Sequence, residues 1–162
     1  MPKAKLNRQR NDIQLLVQIL RFCSLISRPM RDGVADPAGF SSNELRLLMA
    51  LGGEGEAAGR DLAELMGMHA MNVSRALSAL RARRLIEPIS NADNRRRKPY
   101  RVSKRGGEAY RAMEPSIAAV ASFLFGTLSE AERRKLAPLL AKLDRQVLAW
   151  QPAEHRPHVP RA

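Results

Sequence analysis

The stretch RDLAELMGMHAMNVSRALSALRARRLIEPI, Arg60–Ile89, decides how the rest of the chain is read. It predicts a short helix to about Met66, a turn at Gly67 and a longer helix to about Arg84. On the longer helix Val73, Ala76, Leu77 and Leu80 fall at i, i+3, i+4 and i+7, which makes one apolar stripe. At about 100° per residue, Met71, Ser74, Arg75, Ser78 and Ala82 point away from that stripe. Two helices joined by a tight glycine-containing turn, with small and polar residues facing outward, form a helix-turn-helix. Small outward side chains let a helix backbone approach a groove closely.

Downstream, LIEPI and KPYRV have strand composition and flank the turn residues SNADN and a run of arginines. They predict a two-stranded hairpin whose turn is set by Asn and Asp and whose tip projects cations. Pro99 has no N–H for a ladder, so its strand is expected to be an edge. A ribbon of this kind beside a helix-turn-helix is a wing.

Upstream, SSNELRLLMAL starts a helix on the capping box Ser41 and Glu44, and GGEGEAAG is expected to stop it. RPMRDGVADPAG reads as a loop. NDIQLLVQILRFCSLISR opens with Asn11 and Gln14 at capping-box spacing and is apolar on nearly every side. A helix apolar all round must be covered all round, and in a small domain a second subunit is the simplest cover. At the other end SKRGGEAYRAMEPSIAAVASFLF predicts a long helix with a kink at Pro115, and LSEAERRKLAPLLAKLDRQVLAW another, capped by Ser129 and Glu132. Leu136, Leu139, Leu140, Leu143 and Val147 keep helical spacing along the last one. Leu16, Ile19, Leu20, Leu136, Leu140 and Leu143 are therefore the expected dimer interface. The fold class is mainly α with a small β wing. The expected layout is a basic flexible tail at 1–10, one domain at 11–150 and a flexible Pro-rich tail at 151–162. Within the domain, a winged helix-turn-helix occupies about 41–104, with dimerisation helices at about 11–28 and 104–150.

Composition narrows the function. The 28 Lys plus Arg exceed the 16 Asp plus Glu by 12, for a pI near 11.1, which points to an anionic partner. Thirteen of those cations, against five acids, lie between Arg60 and Arg111, so the excess sits on the helix-turn-helix and wing. Aromatic residues make up 4% of the chain, too few for the stacking platforms of single-strand binders. One cysteine, Cys23, excludes an internal disulfide, and three histidines leave no metal or catalytic cluster. No metal or cofactor is expected. The longest uncharged stretch is short of the roughly 20 apolar residues of a membrane span, so a soluble cytoplasmic protein without a membrane partner is expected. GGEGEAAG lacks the lysine of a phosphate-binding loop, and no nucleophile and base pair stands out, so an enzyme is not expected.

These motifs resemble the MarR family of bacterial winged-helix transcriptional regulators. LAELMGMHAMNVSRALSAL is similar to the family's helix-turn-helix. LIEPISNADNRRRKPYRVSKRG is similar to its wing pattern of Asp, any residue, Arg, closed by Leu-Thr and a Gly. FSSNEL and LSEAERRKL resemble the lead-in to its second helix and its last helix. The resemblance implies a homodimer on pseudo-palindromic double-stranded DNA, as a repressor released by a small-molecule effector. It places Met71, Asn72, Ser74 and Arg75 at the major groove, and Asp93 and Arg95 at the wing tip in or beside the minor groove. Two positions depart from the pattern: His69 stands where many relatives have an acidic or hydroxyl N-cap, and Val102 and Ser103 replace Leu-Thr.

Read for chemistry, the recognition-helix contacts are Met71, Asn72, Ser74, Arg75 and Ser78, and the wing contacts Asp93, Arg95, Arg96 and Arg97. Arg95 and Arg96 suit a narrow minor groove, whose negative potential favours guanidinium. Arg60, Arg81, Lys98 and Lys104 are phosphate candidates. Asn72 pairs with adenine or caps its helix, and Arg75 bridges to phosphate, guanine or a neighbouring acid. His69 is read as a cap or a phosphate contact. Cys23 is read as an inert core thiol, with a redox sensor as the alternative. The competing reading of the whole chain is a non-specific architectural DNA- or RNA-binding protein.

Overall fold

The computed structural model describes residues 3–89 and 99–150. The wing tip with Asp93, Arg95, Arg96, Arg97 and Lys98, and the Pro-rich segment 151–162, lie outside the described residues. Six α-helices run in the order α1 Lys3–Met30, α2 Ser42–Glu54, α3 Gly59–Met66, α4 Ala70–Ala82, α5 Lys104–Phe125 and α6 Glu130–Leu148. Three short strands, β1 Glu56–Ala58, β2 Ile86–Pro88 and β3 Pro99–Val102, form one antiparallel sheet in the order β1-β3-β2. The chain divides into two compact units, one to Val120 and one from Ala121, with the division inside α5.

In the first unit the core runs from Val34 to Met113 and is built around α2, whose Leu45, Leu47, Leu48 and Leu51 are all buried. Against them pack Leu62 of α3 and the predicted stripe of α4, Val73, Ala76, Leu77 and Leu80. Each fully buried leucine contributes about 1.5–3 kcal/mol relative to exposure. The Ser41–Glu44 capping box forms as expected: Glu44 N–H donates to the Ser41 hydroxyl at 3.2 Å, and Ser41 N–H to the Glu44 carboxylate at 2.7 Å. Gly67, at φ +57°, closes α3 in the left-handed conformation that glycine adopts freely.

Several boundaries differ from the sequence reading. α1 begins at Lys3 rather than Asn11, because Lys, Ala, Leu, Gln and Arg are good helix formers and no Gly or Pro interrupts residues 3–28. Asn11 and Gln14 thus lie mid-helix and cap nothing. The expected loop after it is largely helical: α1 runs through Pro29 to Met30, and Arg31–Ala35 form a π-helical turn. Pro29 has no N–H to give its preceding turn. Beyond it the bonds widen to five residues, Asp36 N–H to Arg31 O and Phe40 N–H to Ala35 O, while Val34 and Ala35 anchor the segment in the core. α2, by contrast, ends as expected within GGEGEAAG: it runs through Gly52 and Gly53 and stops at Gly55 with φ +81°.

The sheet also has a strand the sequence did not announce. Glu56–Ala58 has no strand composition, yet it pairs with β3 in the register Glu56 to Arg101, Ala57 to Tyr100 and Ala58 to Pro99. β3 is therefore the central strand, which corrects the edge assignment made from Pro99. The proline is tolerated because it is the first residue of its strand, and its carbonyl accepts from Ile89 N–H at 2.9 Å.

α4 ends on a six-to-one bond, Leu85 N–H to Leu80 O at 2.9 Å, with Arg84 N–H to Arg81 O at 2.8 Å and Arg84 itself at φ +58°. This is a Schellman turn with arginine where glycine is usual. The next contact is tighter: a Cβ on Gly106, in the first turn of α5, would run into the Leu85 carbonyl oxygen and Val102.

In the second unit Ser129 caps α6, donating N–H to the Glu132 carboxylate at 2.8 Å. Hydrogen bonds from the Ser129 side chain and then its backbone hold the Glu132 carboxyl below its ordinary value. α6 buries none of its residues within the chain.

Gly106→Ala is expected to destabilise the fold by about 1–3 kcal/mol through backbone overlap. Gly52→Ala, whose Cβ meets nothing within 4 Å, should stabilise it by about 0.5–1 kcal/mol. Opposite shifts of the two denaturation midpoints check this.

Candidate nucleic-acid interface

The apolar stripe of α4 is held in the core, so its other face is turned out. Met71, Asn72, Ser74, Arg75, Ser78 and Arg81 are all exposed, with Met71 at 64%. Arg75 and Arg81 make no ion pair or hydrogen bond among the described residues. No acidic residue lies in the first turn of α4, and its N-cap His69 is extended and makes no side-chain capping bond. The cap reading of His69 is thereby corrected: an imidazole at this φ/ψ leaves the capping to its backbone carbonyl, which accepts from Asn72 and Val73 N–H at 2.9 and 3.2 Å. The positive end of the helix dipole is left open.

Beside α4 lies a concavity of about 1190 Å³, walled by α3, α4 and the sheet, with Arg60, His69, Ser74, Ser78 and Tyr100 on its lining. Its acids are already engaged. Asp61 accepts from Ala58 N–H at 3.2 Å, and Glu64 pairs with Arg60 at 3.1 Å. The Arg60 pair is exposed on both sides, and such pairs contribute little. Arg60 is thus a phosphate candidate with a weak internal partner. Lys104 is exposed at the start of α5. Tyr100 was not foreseen: its place in the wall follows from β3 being central, which the sequence did not indicate.

Not all of the local positive charge is without a partner. Arg83 donates to Gly39 O at 2.9 Å, stacks over the Phe40 ring at 4.1 Å and lies 3.7 Å from Glu44. It ties the end of α4 to the start of α2. Arg46 likewise donates to Met66 O, closing the C-terminus of α3, and Arg101 pairs with Glu87 across the sheet at 2.8 Å. These cations serve the fold.

The residues expected at a dimer interface are uncovered in the single chain. On α1, Ile13, Leu15, Leu16, Val17, Ile19, Leu20, Phe22 and Leu25 are 43–60% exposed. On α6, Leu140 and Leu143 are exposed and Leu136 is half-buried. Cys23 is exposed on α1 too, which corrects the reading of a core thiol: its helix lies outside the core that buries Val34 to Met113. Among the described residues no group of acids, histidines and cysteine could hold a metal ion, and no single helix is long and apolar enough to cross a membrane.

Arg83→Ala should lower stability by about 1–2 kcal/mol by removing its hydrogen bond and ring contact. Arg75→Ala should stay within about 0.5 kcal/mol of the parent. Thermal unfolding of the two variants separates the structural cation from the outward one.

Residues 38–97 match the sequence profile of the MarR family. No sequence among curated proteins matches the chain. Among solved structures it is similar to a probable transcriptional regulator from Pseudomonas aeruginosa, at 23% identity and TM-score 0.65, over 82% of this chain and 98% of that one. BpsR of Bordetella bronchiseptica, described as regulated in DNA binding by 6-hydroxynicotinic acid, aligns at 21% identity and TM-score 0.68, covering 80% and 98%. A mutant MarR from E. coli complexed with operator DNA aligns at 16% identity and TM-score 0.66, covering 82% and 96%. At these identities the structural likeness is one of fold. The helix-turn-helix lies inside the segment that matches the MarR family, and the chain shares its fold with these regulators.

Proposed function

We propose that the chain is a homodimeric, sequence-specific double-stranded DNA-binding transcriptional regulator, acting as a repressor released by a small-molecule effector. The observation that carries the reading is the outer face of α4. Apart from Met71 it is small, polar and cationic, with two arginines unpaired among the described residues, while its inner face is locked into the core. Met71, Asn72, Ser74, Arg75 and Ser78 would meet base edges in the major groove, and Arg60, Arg81, Lys98 and Lys104 the phosphates. The segment with Asp93, Arg95, Arg96 and Arg97 would enter the minor groove. A mutant MarR complexed with operator DNA and BpsR regulated by 6-hydroxynicotinic acid supply the analogy for DNA and for an effector.

The second copy is proposed because α1 exposes eight large apolar side chains between Ile13 and Leu25, and α6 exposes Leu139, Leu140, Leu143, Val147 and Leu148. Apolar surface on this scale is costly in water and marks an interface. Leu16, Ile19, Leu20, Leu136, Leu140 and Leu143 would be covered there. Two α4 helices would then be presented about one DNA turn apart.

Footprinting with sedimentation tests the reading as a whole. A protected pseudo-palindrome bound by dimers is expected. Equal affinity for random duplex at physiological salt would instead favour a non-specific binder. Arg95→Ala should weaken operator binding by roughly tenfold with the dimer intact. Leu16→Glu or Leu140→Glu should shift the chain towards monomer, and an unaltered dimer would displace the proposed interface.

A further inference from the structure

The end of α4 and the start of α5 are joined through one side chain that faces neither the recognition row nor the core. The Ser103 hydroxyl donates to Arg84 O at 2.7 Å and accepts from Gly106 N–H at 3.0 Å. Its own N–H donates to Leu85 O at 3.0 Å, and its carbonyl accepts from Gly107 N–H at 2.9 Å. Arg84 and Leu85 are the two residues of the Schellman turn that ends α4, and Gly106 and Gly107 lie in the first turn of α5. Ser103 is thus at once the cap of α5 and a partner of the carbonyl that closes α4, across 19 residues of sequence. The bare backbone of Gly106 against Leu85 O lets the two helix ends approach closely enough for one hydroxyl to bridge them.

We propose that Ser103 is a positioning residue for DNA recognition: its hydroxyl sets the orientation of α4 relative to α5 without touching DNA. The inference rests on the reading that α4 meets duplex DNA. Arg84 contributes through its conformation. A non-glycine residue at φ +58° is held there by its surroundings, and the Ser103 hydroxyl on its carbonyl joins the Schellman bonds in holding it. Losing that hydroxyl frees two polar groups at once, the Arg84 carbonyl and the Gly106 N–H. The turn is then free to relax, and α4 with it. A bidentate contact in a groove tolerates little rotation, so sequence-specific binding suffers more than binding through phosphates alone.

The test compares Ser103→Ala and Ser103→Thr with the parent on the operator and on random duplex, using the full chain. Ser103→Ala should bind operator about tenfold more weakly with a smaller loss on random duplex, and Ser103→Thr, which keeps the hydroxyl, should match the parent. A loss of stability alone would lower the folded fraction and leave the operator-to-random ratio where it was, so an unchanged ratio overturns the proposal. So does an equal loss in Ser103→Thr. A second measurement needs no variant. Coupling is reciprocal, so operator binding to the parent should slow hydrogen exchange of the Gly106 amide by about the same factor, and unchanged exchange in the bound state overturns the proposal. A parent chain that prefers no duplex at all defeats the DNA reading itself, and is seen before any variant is made.

Discussion

The stripe Val73, Ala76, Leu77 and Leu80 is buried against the leucines of α2, and that one contact fixes both faces of α4. A helix thirteen residues long cannot rotate once four apolar side chains are seated, so Met71, Ser74, Arg75 and Ser78 are turned outward as a consequence. The same leucines receive Leu62 of α3 and, through Leu85 and Ile86, the chain leaving α4 for the sheet. Burial of this kind is non-directional, and ordinary rotamer packing gives it its angle. The hydrogen bonds at the end of α4 refine that angle.

Positive charge in this chain has two uses that composition cannot separate. Arg46, Arg83 and Arg101 spend their guanidinium groups on a helix terminus, an aromatic ring and a cross-strand acid. Arg75 and Arg81, a few residues from Arg83, have no partner among the described residues. Within one helix the difference is angular: Arg75 and Arg81 stand on the outer face, whereas Arg83 sits past the last turn, within reach of Gly39 and Phe40. A count of thirteen cations between Arg60 and Arg111 locates the basic region and overstates the charge available to a partner.

What could be read ahead of the structure was local. The capping boxes at Ser41 and Ser129, the turn at Gly67 and the stripe of α4 each depend on residues within a turn or two of one another, and each is present. The misplaced features depended on distant partners or on competition between signals. β1 has the composition of a helix and becomes a strand because β3 offers it a ladder. Pro99 looked like an edge marker, yet it needs only the first place in its strand. Cys23 looked like core from its apolar neighbours, but those neighbours are themselves exposed in the single chain. The roles of Ser103 and Tyr100 left no local signal, since a serine before a helix and a tyrosine in a strand are ordinary.

By itself the amino-acid order determined where α2 and α6 begin, which faces of α2 and α4 are apolar, and that the net charge gathers around the helix-turn-helix, because periodicity, capping and charge act over a few residues. Tertiary structure alone decided which strand is central, which arginines remain free and how the end of α4 meets the start of α5. Those outcomes depend on contacts between segments 19 to 45 residues apart, whose geometry exists only once the core has closed.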